Sequence, residues 1–274
     1  MSLFWAIAIV VVADVLAILA LLLVRRGAPA GSYYADGDRA SGVFGLLGAG
    51  FAIFGGFVVF LAFTSYDEAR TGAESEALAV QQQYETAQFL PPAIRDRVLG
   101  ELVCYGRFVV HQEWPRLEDG TEGDTVSPWS VALFRSLKAA EPVSPSAQAA
   151  LGKWFDQTSD REQARRDRVH GATGIIPDSI WLVLILMAAV VLGYMLLFAD
   201  SAELARSQAM LIGSATTVLV ATLLVINALD NPYREVVGSL RPVAMERALH
   251  MIGEARAVLS EDVVVPCDAA GSAT

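Results

Sequence analysis

Side chains able to do chemistry are few in this sequence and widely spaced. Of its three histidines, His111, His170 and His250, no two stand at a metal-ligand spacing. His111 and Glu113 beside Trp114 could together hold a ligand, but a hydrogen-bonded structural cluster is the simpler reading. No Gly-x-Ser-x-Gly elbow, Walker loop or dinucleotide glycine fingerprint occurs. Gly213-Ser214 merely sits inside an apolar run. No catalytic residue, metal site or cofactor is therefore expected, and the chain does not read as an enzyme. Cys104 and Cys267 allow at most one bridge. Two unpaired thiols are the expectation, although an even number of membrane spans would leave both on one side.

Polar groups inside apolar stretches carry more information. Asp14 lies in the middle of the run Leu3–Val24, and an acid at that depth faces protein or water. Either it pairs with Thr216, Thr217, Thr222 or Asn227, or it belongs to an ion or proton pathway. The residues alone leave both open. Asn227 is the second polar side chain singled out within the membrane.

The run Val43–Phe63 combines glycines with phenylalanines. At about 100° per residue, Gly45, Ala49, Ala52 and Gly56 share one stripe, suited to close helix contact. Leu46, Ile53, Phe57, Phe60 and Thr64 share a neighbouring one. Ordinary packing with phenylalanines toward lipid accounts for the second stripe. Repeated around a symmetric oligomer, it would instead form stacked apolar rings, a constriction that gates by dewetting. Phe54 and Val58 mark the alternative rotational phase.

The elements that carry these residues follow from hydropathy. The chain has 274 residues, 54% hydrophobic and 18% charged, with a mean hydropathy of +0.45. That is too apolar for an ordinary soluble domain. Leu3–Val24, Val43–Phe63, Ile180–Ala199 and Met210–Leu229 each approach the length needed to cross roughly 30 Å of hydrocarbon. All 20 Lys and Arg lie outside them, and Asp14 is the one acid within. Arg25 and Arg26 after the first run fit a retained helix better than a cleaved signal.

Between spans two and three, residues 64–179 hold 18 acids and 12 bases. Helices are expected over Tyr66–Leu90, Ala93–Glu113, Trp129–Ala140 and Ser146–Val169. The first continues span two and packs through Ala73, Ala77, Val80, Tyr84 and Ala87; Pro91-Pro92 ends it. The second packs through Val98, Leu102, Tyr105 and Val109. Glu118–Ser127 reads as an acidic loop. A last amphipathic helix, Val243–Leu259, could dock on this insert. With a net charge of −10, nucleic acid is excluded as a partner.

The stretch Phe60-Leu61-Ala62-Phe63-Thr64-Ser65-Tyr66-Asp67-Glu68-Ala69-Arg70 resembles the exit of the pore helix in bacterial bestrophins. His111-Gln112-Glu113-Trp114-Pro115 and Leu229-Asp230-Asn231-Pro232-Tyr233 extend the likeness, which lies closest to an uncharacterised bacterial bestrophin-like family. Tyr66, Glu68, Arg70, Trp114, Asp230, Pro232 and Tyr233 are its motif residues here. The resemblance implies an all-α polytopic membrane protein of four spans with a helical extramembrane domain. Its parts would be 1–63, 64–179, 180–229 and 230–274. It implies a pentameric ion channel in a bacterial plasma membrane, its neck lined by Ile53, Phe57 and Phe60, with Thr64 and Asp67 at the exit. The partners are then the lipid bilayer, further copies of the chain and inorganic ions. The acid cluster that binds calcium in animal bestrophins has no counterpart after Tyr233, where Arg234-Glu235-Val236-Val237 follows. The alternative is a non-conducting scaffold or sensor that binds a protein through the insert. Charge leaves orientation undecided: Arg25 and Arg26 favour the first loop inside, and eight bases near the membrane on the other side oppose it. The resemblance places insert and tail in the cytoplasm.

Overall fold

The computed structural model describes residues 3–120, 126–141, 144–234, 238–259 and 263–274. They form helices α1 (Leu3–Arg25), α2 (Gly37–Ala87), α3 (Pro92–Phe108), α4 (Trp114–Glu118), α5 (Pro128–Lys138), α6 (Pro145–His170), α7 (Asp178–Leu196), α8 (Ala205–Asp230) and α9 (Val243–Leu259), with a π turn at Val109–Glu113 joining α3 to α4. Among the described residues the only extended pairing is an isolated bridge between Cys267 and Ala273. Half of the acidic loop expected over Glu118–Ser127, residues 121–125, falls outside them. Two compact units result, one from Met1–Ser65 and Gly174–Asn231, the other from Tyr66–Thr173, Pro232–Arg234 and Ser239–Thr274.

In the first unit α1, the first part of α2, α7 and α8 are long and apolar enough to cross a bilayer. Helix α1 lies along α8, where Leu21 packs with Ile212 and Ala199. Helix α2 buries Phe51 against Ala188, Val191 and Leu219, and Val58 and Ala62 against Leu184 and Ile226. Leu16, Leu182, Leu186, Met210 and Val218 stay exposed, as expected of side chains whose solvent is lipid rather than water.

The second unit has a core of water-soluble type. Ala77, Val80, Tyr84 and Ala87 of α2 are buried there, with Ala73 packed against the same core. Helix α3 departs from the simple amphipathic expectation. Besides Val98, Leu102, Tyr105 and Val109 it buries Leu99, Val103, Cys104 and Phe108, because α5, α9 and the segment after α9 enclose it. Local chemistry sets the helix starts: Pro at the first positions of α3, α5 and α6 gives up no bonded N–H there, and the Ser144 hydroxyl caps α6 by accepting from the Ala147 N–H at 3.1 Å.

One expectation is corrected. Cys104 and Cys267 are not free thiols but a disulfide with a Cα–Cα distance of 5.8 Å. Spacing could not reveal it, because the two stand 163 residues apart, and the tail returns to α3 only through tertiary contacts. The Trp129 indole N–H donates to the Gly271 carbonyl at 2.7 Å, and Arg107 donates to the Asp268 carbonyl at 3.1 Å. Gly271 has φ +81° and lies so close to the Phe108 backbone that a Cβ would collide with it.

Candidate functional site

Helix α2 presents two contrasting faces within the first unit. Phe51, Gly55, Val58 and Ala62 are buried, spaced so as to fall on one side of an α-helix. Ile53, Phe57 and Phe60 are 75%, 58% and 64% exposed, and with Thr64 they span about 60° of arc on the opposite side. Val58 is only 2% exposed, and Phe54 packs with it against Leu184 and Ile226. Of the two rotational phases of α2, the one through Phe57 is thus left open by the described helices. The Thr64 hydroxyl donates to the Phe60 carbonyl at 3.0 Å, and Asp67 is exposed one turn further along. The small stripe of Gly45, Ala49, Ala52 and Gly56 is also exposed. Among the described residues nothing comes within 4 Å of a Cβ placed on Gly45 or Gly56, whereas Gly50 and Gly55 approach Met187 and Thr222.

Asp14 accepts a hydrogen bond from the Thr217 hydroxyl at 2.8 Å, tying α1 to α8. Its other carboxylate oxygen has no partner among the described residues. Asn227 contributes its carbonyl to the Asn231 amide at 3.1 Å. Asp230 accepts from the Ile176 N–H at 3.1 Å and from the Trp181 indole at 3.4 Å, fixing the entry into α7. Gly174 is required beside it, since a Cβ there would stand 2.8 Å from the carboxylate.

Matching over residues 8–239 is the family model of the Bestrophin-like domain. The chain belongs to the bestrophin-like family. Among solved structures, variants of a bacterial bestrophin homologue from Klebsiella pneumoniae share its fold. One is 15% identical with a TM-score of 0.68, covering 89% of this chain and 98% of that one. Another is 16% identical with a TM-score of 0.62 and the same coverage. A third is 14% identical with a TM-score of 0.62, covering 92% of this chain and 97% of the other. A search of curated proteins gives no match.

In the bestrophin-like chain the motif residues of the second unit do not form one site. Trp114 and Tyr233 do meet, edge to face with ring centroids 5.4 Å apart. The Trp114 indole donates to the Leu240 carbonyl at 3.4 Å, the Tyr233 hydroxyl donates to the Arg168 carbonyl at 2.7 Å, and the Pro232 carbonyl accepts from the Leu240 N–H at 2.8 Å. Tyr66 and Arg70 instead line a groove of about 590 Å³ between α2 and α9, with Arg241 and Arg247 opposite. Arg70 pairs with Glu74 at 3.2 Å. Glu68 is exposed.

Sequence reasoning missed the centre on which Trp114 and Tyr233 rest. Glu76, Glu113 and Arg168 are fully buried, and the Arg168 guanidinium bridges both carboxylates. Arg165 pairs with Glu113 as well. The Tyr105 hydroxyl donates to Glu76 at 2.5 Å, and Arg168 stacks over the Trp114 ring at 5.4 Å. Burial pushes the Glu113 carboxyl up, but Arg168 and Arg165 more than offset this and hold it below the usual carboxylate range. Burial raises the Tyr105 and Tyr233 phenols, so both remain hydroxyl donors. The charged run Asp160–Arg168 looks solvated, yet Ala150, Trp154, Gln157, Arg161, Ala164 and Arg168 recur at helical spacing and are all buried. That period was the available signal. His111 is exposed whereas Glu113 is buried, and no group of metal-ligating side chains occurs among the described residues.

Proposed function

We propose that this bestrophin-like chain is one subunit of a homo-oligomeric ion pore, a pentamer as in bestrophin channels, in the plasma membrane of a bacterium. Helix α2 lines an apolar neck through Ile53, Phe57 and Phe60, with Thr64 and Asp67 at its exit. The observation that carries this reading is the division of α2 into a buried and an open face. Large apolar side chains on the open face need either lipid or copies of themselves, and a ring of copies makes a dry constriction that controls ion passage by wetting.

Reconstitution of the full chain in liposomes tests the proposal. Phe57→Ala removes most of a ring from the constriction and should raise ion flux several-fold over the wild type. The buried-face substitution Val58→Ala serves as a comparison and should change assembly or stability more than flux. Unchanged flux in a correctly assembled Phe57→Ala protein would remove Phe57 from the neck. A wild-type protein that carries no ions but captures a partner through its insert would establish the scaffold alternative.

A further inference from the structure

We infer that the groove between α2 and α9 binds a small organic phosphate, a phosphomonoester carried on an apolar body. The groove belongs wholly to the extramembrane unit and has a volume of about 590 Å³. That lies within the roughly 300–1,000 Å³ usual for clefts that take a small molecule. The chain carries a net charge of −10, yet the groove gathers Arg70, Arg241 and Arg247 around a single acid, Glu74. Three guanidinium groups against one carboxylate leave a surplus of two positive charges. A cleft lined by one sign of charge concentrates ions of the other.

Two elements fix this arrangement. Arg70 and Glu74 stand one turn apart on α2 and pair at 3.2 Å, but their side chains are 59% and 60% exposed. An ion pair of that kind contributes little, so Arg70 can turn to a ligand at small cost. On α9, Val243, Arg247 and Met251 follow one another at four-residue spacing and share a face. Arg241 stands two residues before the start of that helix. Both arginines are exposed, and among the described residues no carboxylate pairs with either.

The lining also selects the ligand. Guanidinium groups bind phosphate oxygens through parallel N–H donors. A phosphomonoester carries about −1.5 to −2 charges near neutral pH and offers three terminal oxygens, which matches the surplus and allows several arginines to bind at once. A carboxylate brings one charge and two oxygens. Below the arginines the groove is apolar: Ala77 and Ala248 are buried at its base, and Leu78, Val243 and Met251 leave apolar surface bare beside them. Covering that surface favours an aryl or alkyl group attached to the phosphate. A soluble metabolite and the headgroup of a phosphatidic-acid-type lipid both present this chemistry.

Titration calorimetry of the purified full chain in a neutral detergent, with phenyl phosphate as the probe, tests the site. We expect saturable binding of one molecule per chain, and binding at least tenfold weaker for inorganic phosphate and for the monoanion phenyl sulfate. Arg241→Gln combined with Arg247→Gln should weaken phenyl phosphate at least tenfold, with melting temperature and oligomeric mass unchanged. Repeating the titration in phosphatidylcholine nanodiscs with and without phosphatidic acid separates the two sources. Competition by the lipid assigns the site to a membrane headgroup, and unaltered binding assigns it to a soluble ligand. No binding to the wild type, or equal binding to wild type and variant, would overturn the inference. So would a variant that falls apart into smaller assemblies, which would make the groove a seam between copies of the chain.

Discussion

Arg168 has the most consequential environment of any single residue in the bestrophin-like chain. Removing one partner of a buried ion pair leaves the other charge unsolvated, at a cost of about 3–5 kcal/mol. Arg168→Met takes the buried guanidinium from both Glu76 and Glu113, leaving Arg165 on Glu113 and the Tyr105 hydroxyl on Glu76, and should destabilise the protein by up to roughly that amount, read as a lower melting temperature in detergent. Glu113→Gln leaves Arg168 paired with Glu76 and should cost less. The same cluster sets a pH dependence. The Glu113 carboxyl is held below its ordinary value in the folded chain, so its stabilisation is present above the unfolded value of about 4.3. It is lost as pH falls through the folded value. Thermal stability should therefore drop on acidification below about pH 4, and in Arg168→Met that component of the drop should shrink. A variant whose acid profile matched the wild type would show that Glu113 draws no stability from Arg168.

At the scale of elements, close approach of helices is the controlling feature. Gly72 of α2 sits against α6: a Cβ there would lie 2.6 Å from the Arg168 nitrogen and 2.8 Å from the Ala164 carbonyl. Backbone atoms cannot step aside as a flexible side chain would. Gly72→Ala should separate the helices and destabilise by roughly 1–3 kcal/mol, measurable as a downshift in thermal melting, whereas alanine at the exposed Gly42 should be close to neutral. Most elements were legible beforehand, because the runs without basic residues and the Pro91-Pro92 and Pro145 boundaries are local signals. The continuity of span two into Tyr66–Ala87 was legible for the same reason, since nothing in that stretch breaks a helix. The π turn at Val109–Glu113 was not, because a helix that widens by one residue leaves no mark in hydrophobic period. Which side of α2 its own neighbours cover was equally hidden. Phe57 and Phe54 are identical in type, and only the packing of Val58 and Ala62 against α7 and α8 separates them.

For the molecule as a whole, the disulfide and the family assignment mark two limits of sequence reading. The family was reachable from short motifs spread across the chain, yet the pairing of Cys104 with Cys267 depends on a tail whose path no local pattern encodes. Closing a loop of that length restrains the unfolded chain, typically by about 2–4 kcal/mol. Cys104→Ser with Cys267→Ser, or reduction under denaturing and refolding conditions, should lower stability by that order, and an unchanged melting temperature would show that the docked tail suffices without the bond. The way the extramembrane core is distributed along the chain has a consequence for its birth. Tyr233, Leu240, Met245, Ala248, Ile252 and Val263 belong to the same core as Tyr84, Leu102 and Trp154, but α7 and α8 intervene between the two groups. A ribosome emits α3 with much of its apolar surface uncovered, and the residues that enclose it emerge only after two further membrane helices have been handed to the insertion machinery. Completion of this unit is therefore timed by membrane integration, and a chain stalled before α8 would expose α3 to chaperones and proteases.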